Sequence, residues 1–237
     1  MKQHVLLLGL ILGSFTLSAQ TYFEKGTSGF AVTGGMQEGF YEDGYFGGLE
    51  YSYKGMIDVG VGYGNLTYNR DHLEDLGITL DGTPQEKDLF AYVEYWPLRS
   101  DPGQALMANF GIWAQYGTQS YKNGRQVFDN IVYDPLSGKE VSLGLDFSLD
   151  VKVIDSWKMQ PYLWMGNFWA WEDYEIDAIE AEEDYYGTAA GFGVLLQRML
   201  SNNQSIFLGA EVGIDDLDMI NSNSFVLSIG YTFASKK

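Results

Sequence analysis

One segment with strict two-residue alternation, residues 141–153, constrains the fold more than any other part of the chain. Its odd positions are all apolar, and its even positions are glycine, serine, aspartate or lysine. At roughly 3.3 Å per residue, a strand of this length measures about 40 Å, which is enough to span a bilayer when the strand is tilted. Strands of soluble proteins usually have about half this length. The segment therefore predicts a membrane-spanning β-strand.

The same alternation recurs in other segments, which brings the predicted total to about ten strands. The other nine segments cover residues 29–37, 45–53, 57–64, 88–96, 106–116, 159–171, 188–197, 206–215 and 225–233. Short and long connections alternate between them, as in outer-membrane barrels with short periplasmic turns and longer external loops. We therefore predict an all-β fold, a closed antiparallel up-and-down transmembrane β-barrel of about ten strands, with eight as the alternative.

Three of the long connections matter for function, because external loops carry binding and catalytic groups. They cover residues 68–87, 118–139 and 172–184, and the second of them has room for a hairpin of its own. Eight of the 13 residues at positions 172–184 are acidic. We expect a solvated external loop there that loosely binds Ca²⁺ or Mg²⁺, and we expect no other cofactor.

Residues 1–19 have the features of a cleaved export signal. Lys2 precedes a mostly apolar stretch at residues 5–17, and Ser18, Ala19 and Gln20 are similar to a signal-peptidase site. The apolar stretch is too short to span a bilayer. The predicted organisation is therefore a signal peptide at residues 1–19 and one barrel domain at residues 20–237.

Composition excludes several classes of function. The chain has no cysteine, which excludes disulfides, thiolate metal sites, cysteine nucleophiles and a lipoprotein anchor on cysteine. The formal net charge is −18, and it becomes −19 without residues 1–19, which contain one lysine and no acid. A chain this acidic does not bind nucleic acid through phosphate contacts.

The two faces of the predicted strands distinguish a membrane barrel from a soluble periplasmic ligand-binding barrel, which stays open as an alternative. The non-apolar face is rich in glycine, serine and acids, which suits a hydrated lumen better than a core. Aromatic residues concentrate near strand ends, as in the girdles that outer-membrane barrels place at both membrane interfaces. We therefore expect the apolar face to contact outer-membrane lipid and lipopolysaccharide.

The last predicted strand closes on Gly230, Tyr231, Thr232 and Phe233. It resembles the closing strand of small bacterial outer-membrane barrels of the OmpA/OmpX type. That resemblance implies an outer-membrane location in a Gram-negative cell and recognition by the outer-membrane assembly machinery. The signal peptide is similar to those of Bacteroidetes-type bacteria. Two features depart from the family pattern: four residues follow Phe233, and ten strands exceed the usual eight.

Six acids fall on the predicted lumen face: Glu50, Asp58, Glu94, Asp146, Asp150 and Glu211. Lys152, near one end, is the only basic residue on this predicted face. All four arginines after the signal peptide lie outside or at the margins of strands. Buried carboxylates without partners are costly, so we hypothesise a hydrated, porin-like lumen that favours cations. Alternatively, water, tyrosine hydroxyls and protonation absorb the charge in a closed barrel. Both alternatives are non-enzymatic: a small channel, or a structural or adhesion barrel.

A hydrolase is the enzymatic alternative. His72 is the only histidine after the signal peptide, and it lies among acids in the connection at residues 68–87. An omptin-like protease uses an external histidine and acids to activate water, so acids of residues 172–184 are candidates to face His72. The His–Asp pair that such enzymes carry on a later strand is absent from this sequence. A lipid A-modifying enzyme would need its histidine on a strand.

Overall fold

The computed structural model describes residues 23–39, 42–75, 79–80, 82–101, 106–128, 131–200, 204–217 and 220–235. These residues form long strands, two short strands and one short helix. In chain order the elements are β1 (Ser28–Gly39), β2 (Glu42–Tyr53), β3 (Ile57–Tyr68), α1 (Arg70–Asp75), β4 (Thr79–Leu80), β5 (Gln85–Arg99), β6 (Leu106–Lys122), β7 (Gln126–Phe128), β8 (Ile131–Ile154), β9 (Trp157–Ile176), β10 (Ile179–Met199), β11 (Gln204–Leu217) and β12 (Ile220–Ser235).

The ten long strands close into one antiparallel barrel. Each long strand pairs with the next long strand in sequence, and β1 pairs with β12 along its whole length to close the cylinder. The predicted ten-stranded up-and-down barrel is therefore confirmed. All ten predicted strand segments fall inside observed strands. Within the described ranges no α-helix has both the length and the hydropathy required to cross a bilayer.

The outer and inner faces of the wall differ as the alternation requires. On β8, Leu143, Leu145 and Phe147 are exposed on the outside, whereas Asp146 and Ser148 are buried inside. The outer apolar side chains form a continuous band around the barrel, with aromatic side chains near both of its edges. The exposed rings near the edges are Phe30, Tyr45, Tyr53, Tyr63, Tyr95, Tyr116, Trp169, Trp171, Tyr186 and Phe233.

The two ends of the barrel are unlike each other. The end that carries β1's first residue and β12's last residue, called here the terminal end, has short turns such as the one at residues 54–56. At the opposite end, called the loop end, β8, β9 and β10 continue beyond the apolar band. These strands have 24, 20 and 21 residues, against 12 in β1. The barrel wall is therefore taller on one side.

The prediction that residues 172–184 form a loop is wrong. β9 runs to Ile176, β10 begins at Ile179, and only Asp177 and Ala178 form the turn between them. Both turn residues have positive φ, 50° and 65°, which matches the tight two-residue turns that join twisted antiparallel strands. Acids conceal these strand ends in the sequence, because they occupy both faces of the strands and so leave no alternation of apolar and polar residues.

The other long connections also contain structure. Residues 68–87 include α1 and β4, and residues 118–139 include the hairpin of β7 with the start of β8, as anticipated. β4 pairs with β7, and β7 pairs with β8. We call residues 131–140, 172–176 and 179–185, together with β4 and β7, the surface extension. The predicted signal peptide at residues 1–19 lies outside the described residues.

Candidate functional site

The six acids singled out from the sequence lie inside the barrel and are almost fully buried. They are Glu50, Asp58, Glu94, Asp146, Asp150 and Glu211. They come from five different strands, which the closed topology brings around one interior space. Buried carboxylates require hydrogen-bond partners or counter-charges, so the groups around them decide what this interior can do.

Aromatic side chains supply most of the hydrogen bonds to these acids. Tyr162 Oη and Trp164 Nε1 donate to the two oxygens of Glu211 at 2.6 and 2.9 Å. Trp96 Nε1 donates to Asp58 Oδ2 at 2.8 Å, and Tyr92 Oη donates to Glu50 Oε2 at 2.5 Å. Asp150 instead accepts a hydrogen bond from the side-chain amide of Gln160, whose Nε2 lies 2.6 Å from Oδ1. The same rings therefore both fill the interior and satisfy its charge.

Glu94 is the exception among the six. Its side chain is 0% exposed, and its hydrogen-bond partner is not a ring or an amide but a second buried acid, Asp146. Oε1 lies over Gly111 of the neighbouring strand, 2.6 Å from where a Cβ would be. Two buried carboxyls side by side are costly when both are charged. Glu94 and Asp146 therefore form the pair among the six acids that no ring donor serves.

Large inward rings lie on glycines of adjacent strands. Tyr162 and Trp164 lie over Gly193 and Gly191, where an added Cβ would be 2.3 and 2.2 Å from ring atoms. Phe207 lies over Gly230 in the same way, with a corresponding distance of 2.0 Å. The inward glycines are therefore the places that admit these rings. The same glycines, on the predicted non-apolar face, were expected to line a water-filled lumen.

The basic residues at the terminal end differ from expectation. Arg99 is the last residue of β5, but its guanidinium is buried and donates to the backbone carbonyls of Gly55 and Phe23. Its charge acts on Asp58 and Asp150. Lys152, which was expected beside the acids, is instead exposed and pairs with Asp155 at 3.1 Å. The correction is that Arg99 and Lys158, and not Lys152, are cations that act on the lumen acid Asp150.

Further buried acids near the loop end were not predicted from the sequence: Glu42, Glu86, Asp88, Glu140 and Glu172. In the surface extension Glu172 is 1% exposed, and it accepts hydrogen bonds from Tyr133 Oη at 2.9 Å and Tyr185 Oη at 3.3 Å. Burial raises the pKa of Glu172 to about 7, although the tyrosine hydroxyls act in the opposite direction. Glu172 was missed because the strand containing it was interpreted as a loop. Across the described parts of the chain, no three His, Cys, Asp or Glu side chains are arranged to hold a metal ion.

Comparisons with known proteins identify the fold. No protein-family model matches the chain, and no curated protein matches its sequence. Among solved structures, the outer membrane protease OmpT from Escherichia coli matches with a TM-score of 0.53 and 8% identity, covering 91% of this chain and 100% of OmpT. The β domain of the Bordetella autotransporter BrkA matches with a TM-score of 0.51 and 12% identity, covering 89% of this chain and 100% of that domain. The fold is that of the bacterial outer-membrane β-barrels.

The helix that carries His72 and the strands that carry the acids of residues 172–184 lie at different positions around the wall. His72 lies in α1, next to β4 at one edge of the surface extension. The acids of residues 172–184 lie on β9, β10 and their turn, and β7 and β8 stand between β4 and β9. Three strand spacings amount to about 14 Å between the backbones of β4 and β9. The backbone of β4, which α1 contacts, is thus separated from those acids by β7 and β8.

Proposed function

We propose that this protein is a closed outer-membrane barrel that anchors the acidic surface extension outside the cell, as a structural or adhesion module. The observation that carries the proposal is the packed interior. A side chain that lines a water-filled pore is exposed to the pore water, yet Glu94, Trp96 and Phe207 are 0%, 1% and 0% exposed. Aromatic rings pack on glycines, and several of the acids are hydrogen-bonded to ring donors, so water has no access to these positions. The packing therefore favours a closed barrel over the cation-favouring channel.

The outer face supports a membrane location. A continuous belt of exposed valine, leucine, isoleucine and phenylalanine side chains surrounds the barrel, which a water-soluble periplasmic barrel would not present to solvent. Aromatic rings near both edges of the belt match the interfacial girdles of outer-membrane barrels. We place the terminal end in the periplasm, where both termini and short turns are expected, and the surface extension outside. Lipid, lipopolysaccharide and the assembly machinery are the expected partners.

The surface extension carries an acidic outer face suited to cationic partners. Glu175 lies between Asp134 and Glu180 on the neighbouring strands, and Asp173 is directly opposite Glu182. Like charges at such distances repel, so a positively charged surface or loosely held Ca²⁺ or Mg²⁺ would lower the free energy of this face. This charge pattern is the feature that favours adhesion over a purely structural role.

Conductance in planar lipid bilayers tests the closed interior. We expect no steady current from the wild-type barrel. The double variant Trp113→Ala/Trp164→Ala removes two rings of one buried cluster, so it should open a path lined by Glu211 and Asp146 and pass cations in preference to anions. A steady cation current through the wild-type protein would overturn the closed barrel and favour the channel.

A shortened hairpin tests the role of the surface extension. Replacing residues 175–180 by Asn-Gly keeps Tyr174 opposite Ala181 and supplies a favoured two-residue turn. The shortened barrel should keep its heat-modifiable mobility in detergent gels, and cells displaying it should bind less of a fluorescent polylysine probe than wild-type cells. A matched variant, Lys152→Gln at the terminal end, should bind as wild type does. Equal binding by the shortened and wild-type barrels would rule out adhesion through this face.

A further inference from the structure

The outer wall of the barrel contains a groove within the apolar band. Its volume is about 700 Å³, within the roughly 300–1,000 Å³ range of small-molecule sites. Gly144, Gly166 and Ala190 line it as small residues, and the larger Leu143, Met165 and Ile214 rise around them. The last three are exposed on the outside of the wall, so the groove opens outwards and not into the lumen.

Polar side chains stand at the loop end of this groove. Asn167 and Thr188 line it and lie directly opposite each other on β9 and β10. Tyr186 Oη donates to Asn167 Oδ1 at 3.2 Å, and the Tyr186 ring lies 5.5 Å from the Trp169 ring. In the described part of the chain, the amide N–H groups of Asn167 have no acceptor. Polar groups that face hydrocarbon are costly without partners, so this pair suits the carbonyl of a bound lipid.

Two lysines lie beyond the groove on the same side of the barrel. Lys139 is on β8, four residues before Leu143, or roughly 13 Å further along the strand. Lys87 is on β5, and the hydroxyl-bearing Thr118 and Ser120 of β6 pair with Lys139 and Lys87. Both lysines are exposed, and neither forms an ion pair with a described residue. In a chain with a net charge of −18, this patch is a local concentration of positive charge with hydroxyl groups beside it.

We propose that the groove and the two lysines form a binding site for the lipid A part of lipopolysaccharide. One acyl chain would occupy the groove, its carbonyl would accept hydrogen bonds from Asn167 and Thr188, and phosphate would contact Lys139 and Lys87. The proposal rests on the proposed function, because it requires this half of the wall to face the external leaflet. It adds a defined ligand site that the anchoring role does not require.

The arrangement favours lipid A over other occupants. The lysines are two strands apart, about 10 Å across the sheet, which suits a wide headgroup with more than one phosphate better than the single phosphate of a glycerophospholipid. A second copy of this barrel would present a convex, apolar wall, which neither fills a groove nor pairs with lysines. Asp173 and Asp184 lie beyond the groove towards the loop end on β9 and β10, so they direct phosphate towards the β5–β8 side.

Native mass spectrometry of full-length barrels released from lipid nanodiscs tests the site. The nanodiscs contain phosphatidylethanolamine with a small, equal fraction of diphosphorylated lipid A or phosphatidylglycerol. Ala190→Phe fills the groove, and Ala210→Phe is its control, because Ala210 faces outwards but does not line the groove. Lys87→Gln/Lys139→Gln removes the cations, and Lys54→Gln/Lys152→Gln is the control at the terminal end.

Wild type and both controls should retain lipid A in preference to phosphatidylglycerol. Ala190→Phe should lower the retained lipid A about tenfold, and Lys87→Gln/Lys139→Gln should remove most of the preference for lipid A. Equal retention by Ala190→Phe and Ala210→Phe, equal retention of both lipids by wild type, or a dimer in place of a lipid adduct would each overturn the site. Heat-modifiable mobility and detergent dependence of the same samples report separately on the membrane barrel, so failure of the anchoring proposal is recognised independently.

Discussion

The indole of Trp113 lies against Gly144 of the neighbouring strand so closely that a Cβ on this glycine would be 2.3 Å from Cζ2 of the ring. Backbone is also near, since the carbonyl oxygen of Met165 would be 2.4 Å away. Gly144→Ala should therefore lower the free energy of unfolding by about 1–3 kcal/mol, the usual cost of overpacking. Urea unfolding in lipid vesicles, followed by tryptophan fluorescence, measures the change.

Gly117→Ala is the matched control for that substitution. Gly117 also faces inwards on β6, but its Cβ would have no neighbour nearer than 3.8 Å. We expect the alanine there to leave stability unchanged within about 0.5 kcal/mol. Comparable losses in both variants would show that the contact with Trp113 is not what requires glycine at position 144.

Glu94 and Glu211 should respond in opposite ways to the same change. Glu94→Gln removes the like-charge contact with Asp146, so it should raise the free energy of unfolding by about 1–3 kcal/mol. Glu211→Gln replaces an acceptor of two donors, from Tyr162 and Trp164, with a group that has one acceptor oxygen, so it should lower that energy by a similar amount. Parallel urea titrations at pH 7.5 compare them, and destabilisation by Glu94→Gln would contradict the assignment.

The stability of the surface extension should fall as pH rises. The pKa of Glu172 is about 7 in the folded barrel against an ordinary 4.5, so the unfolded state ionises first. Stability from this group is complete below about pH 4.5, declines between pH 4.5 and 7, and is lost above pH 7. Glu172→Gln should remove this decline and stabilise the extension at pH 8 by up to about 3 kcal/mol.

Hydrogen exchange of amides in β9 and β10 beyond the apolar band, measured at pH 5 and pH 8, tests this prediction. Exchange rates must be corrected for their intrinsic pH dependence before the two conditions are compared. Exchange in the Glu172→Gln variant with the same pH dependence as in wild type would mean that Glu172 is not the titrating group.

Repulsion across the β9–β10 hairpin should be reversible by one charge change. Glu180 is directly opposite Glu175, so Glu180→Lys converts a repulsive cross-strand pair into an attractive one. We expect about 0.2–1 kcal/mol of added hairpin stability at low salt, and less at 1 M salt because of screening. Protection of the hairpin amides from exchange measures it, and Glu180→Gln separates loss of repulsion from gain of attraction. A salt-independent effect would refute the electrostatic origin.

Alternation in the sequence was sufficient to predict the strands and the side of the wall on which most side chains lie. Successive strand residues point to opposite faces, so in a strand the leucines of residues 141–153 lie on one face and the aspartates on the other. The same rule applies to Glu94 and Glu211. It is a local property of the backbone, and it holds whatever the strand is packed against.

Pairing decided what the local rule could not. Register between Tyr95 and Leu98 shifts at a bulge that contains Pro97, which has no N–H for the ladder. The shift reverses the alternation, so Arg99 points inwards beside the acids although simple counting from Glu94 places it outside. Likewise, acids of β9 and β10 gave no strand signal, and only their pairing revealed the surface extension.

Packing between paired strands decided the remaining features. The sequence by itself determined that glycines and rings alternate with apolar residues along single strands. Only the register of β6 with β8 and of β11 with β12 brought Trp113 over Gly144 and Phe207 over Gly230, and only the side-by-side order of β8, β9 and β10 grouped small residues into an outer groove. The physical reason is range: alternation acts between neighbours in the chain, whereas packing joins residues that are far apart in sequence.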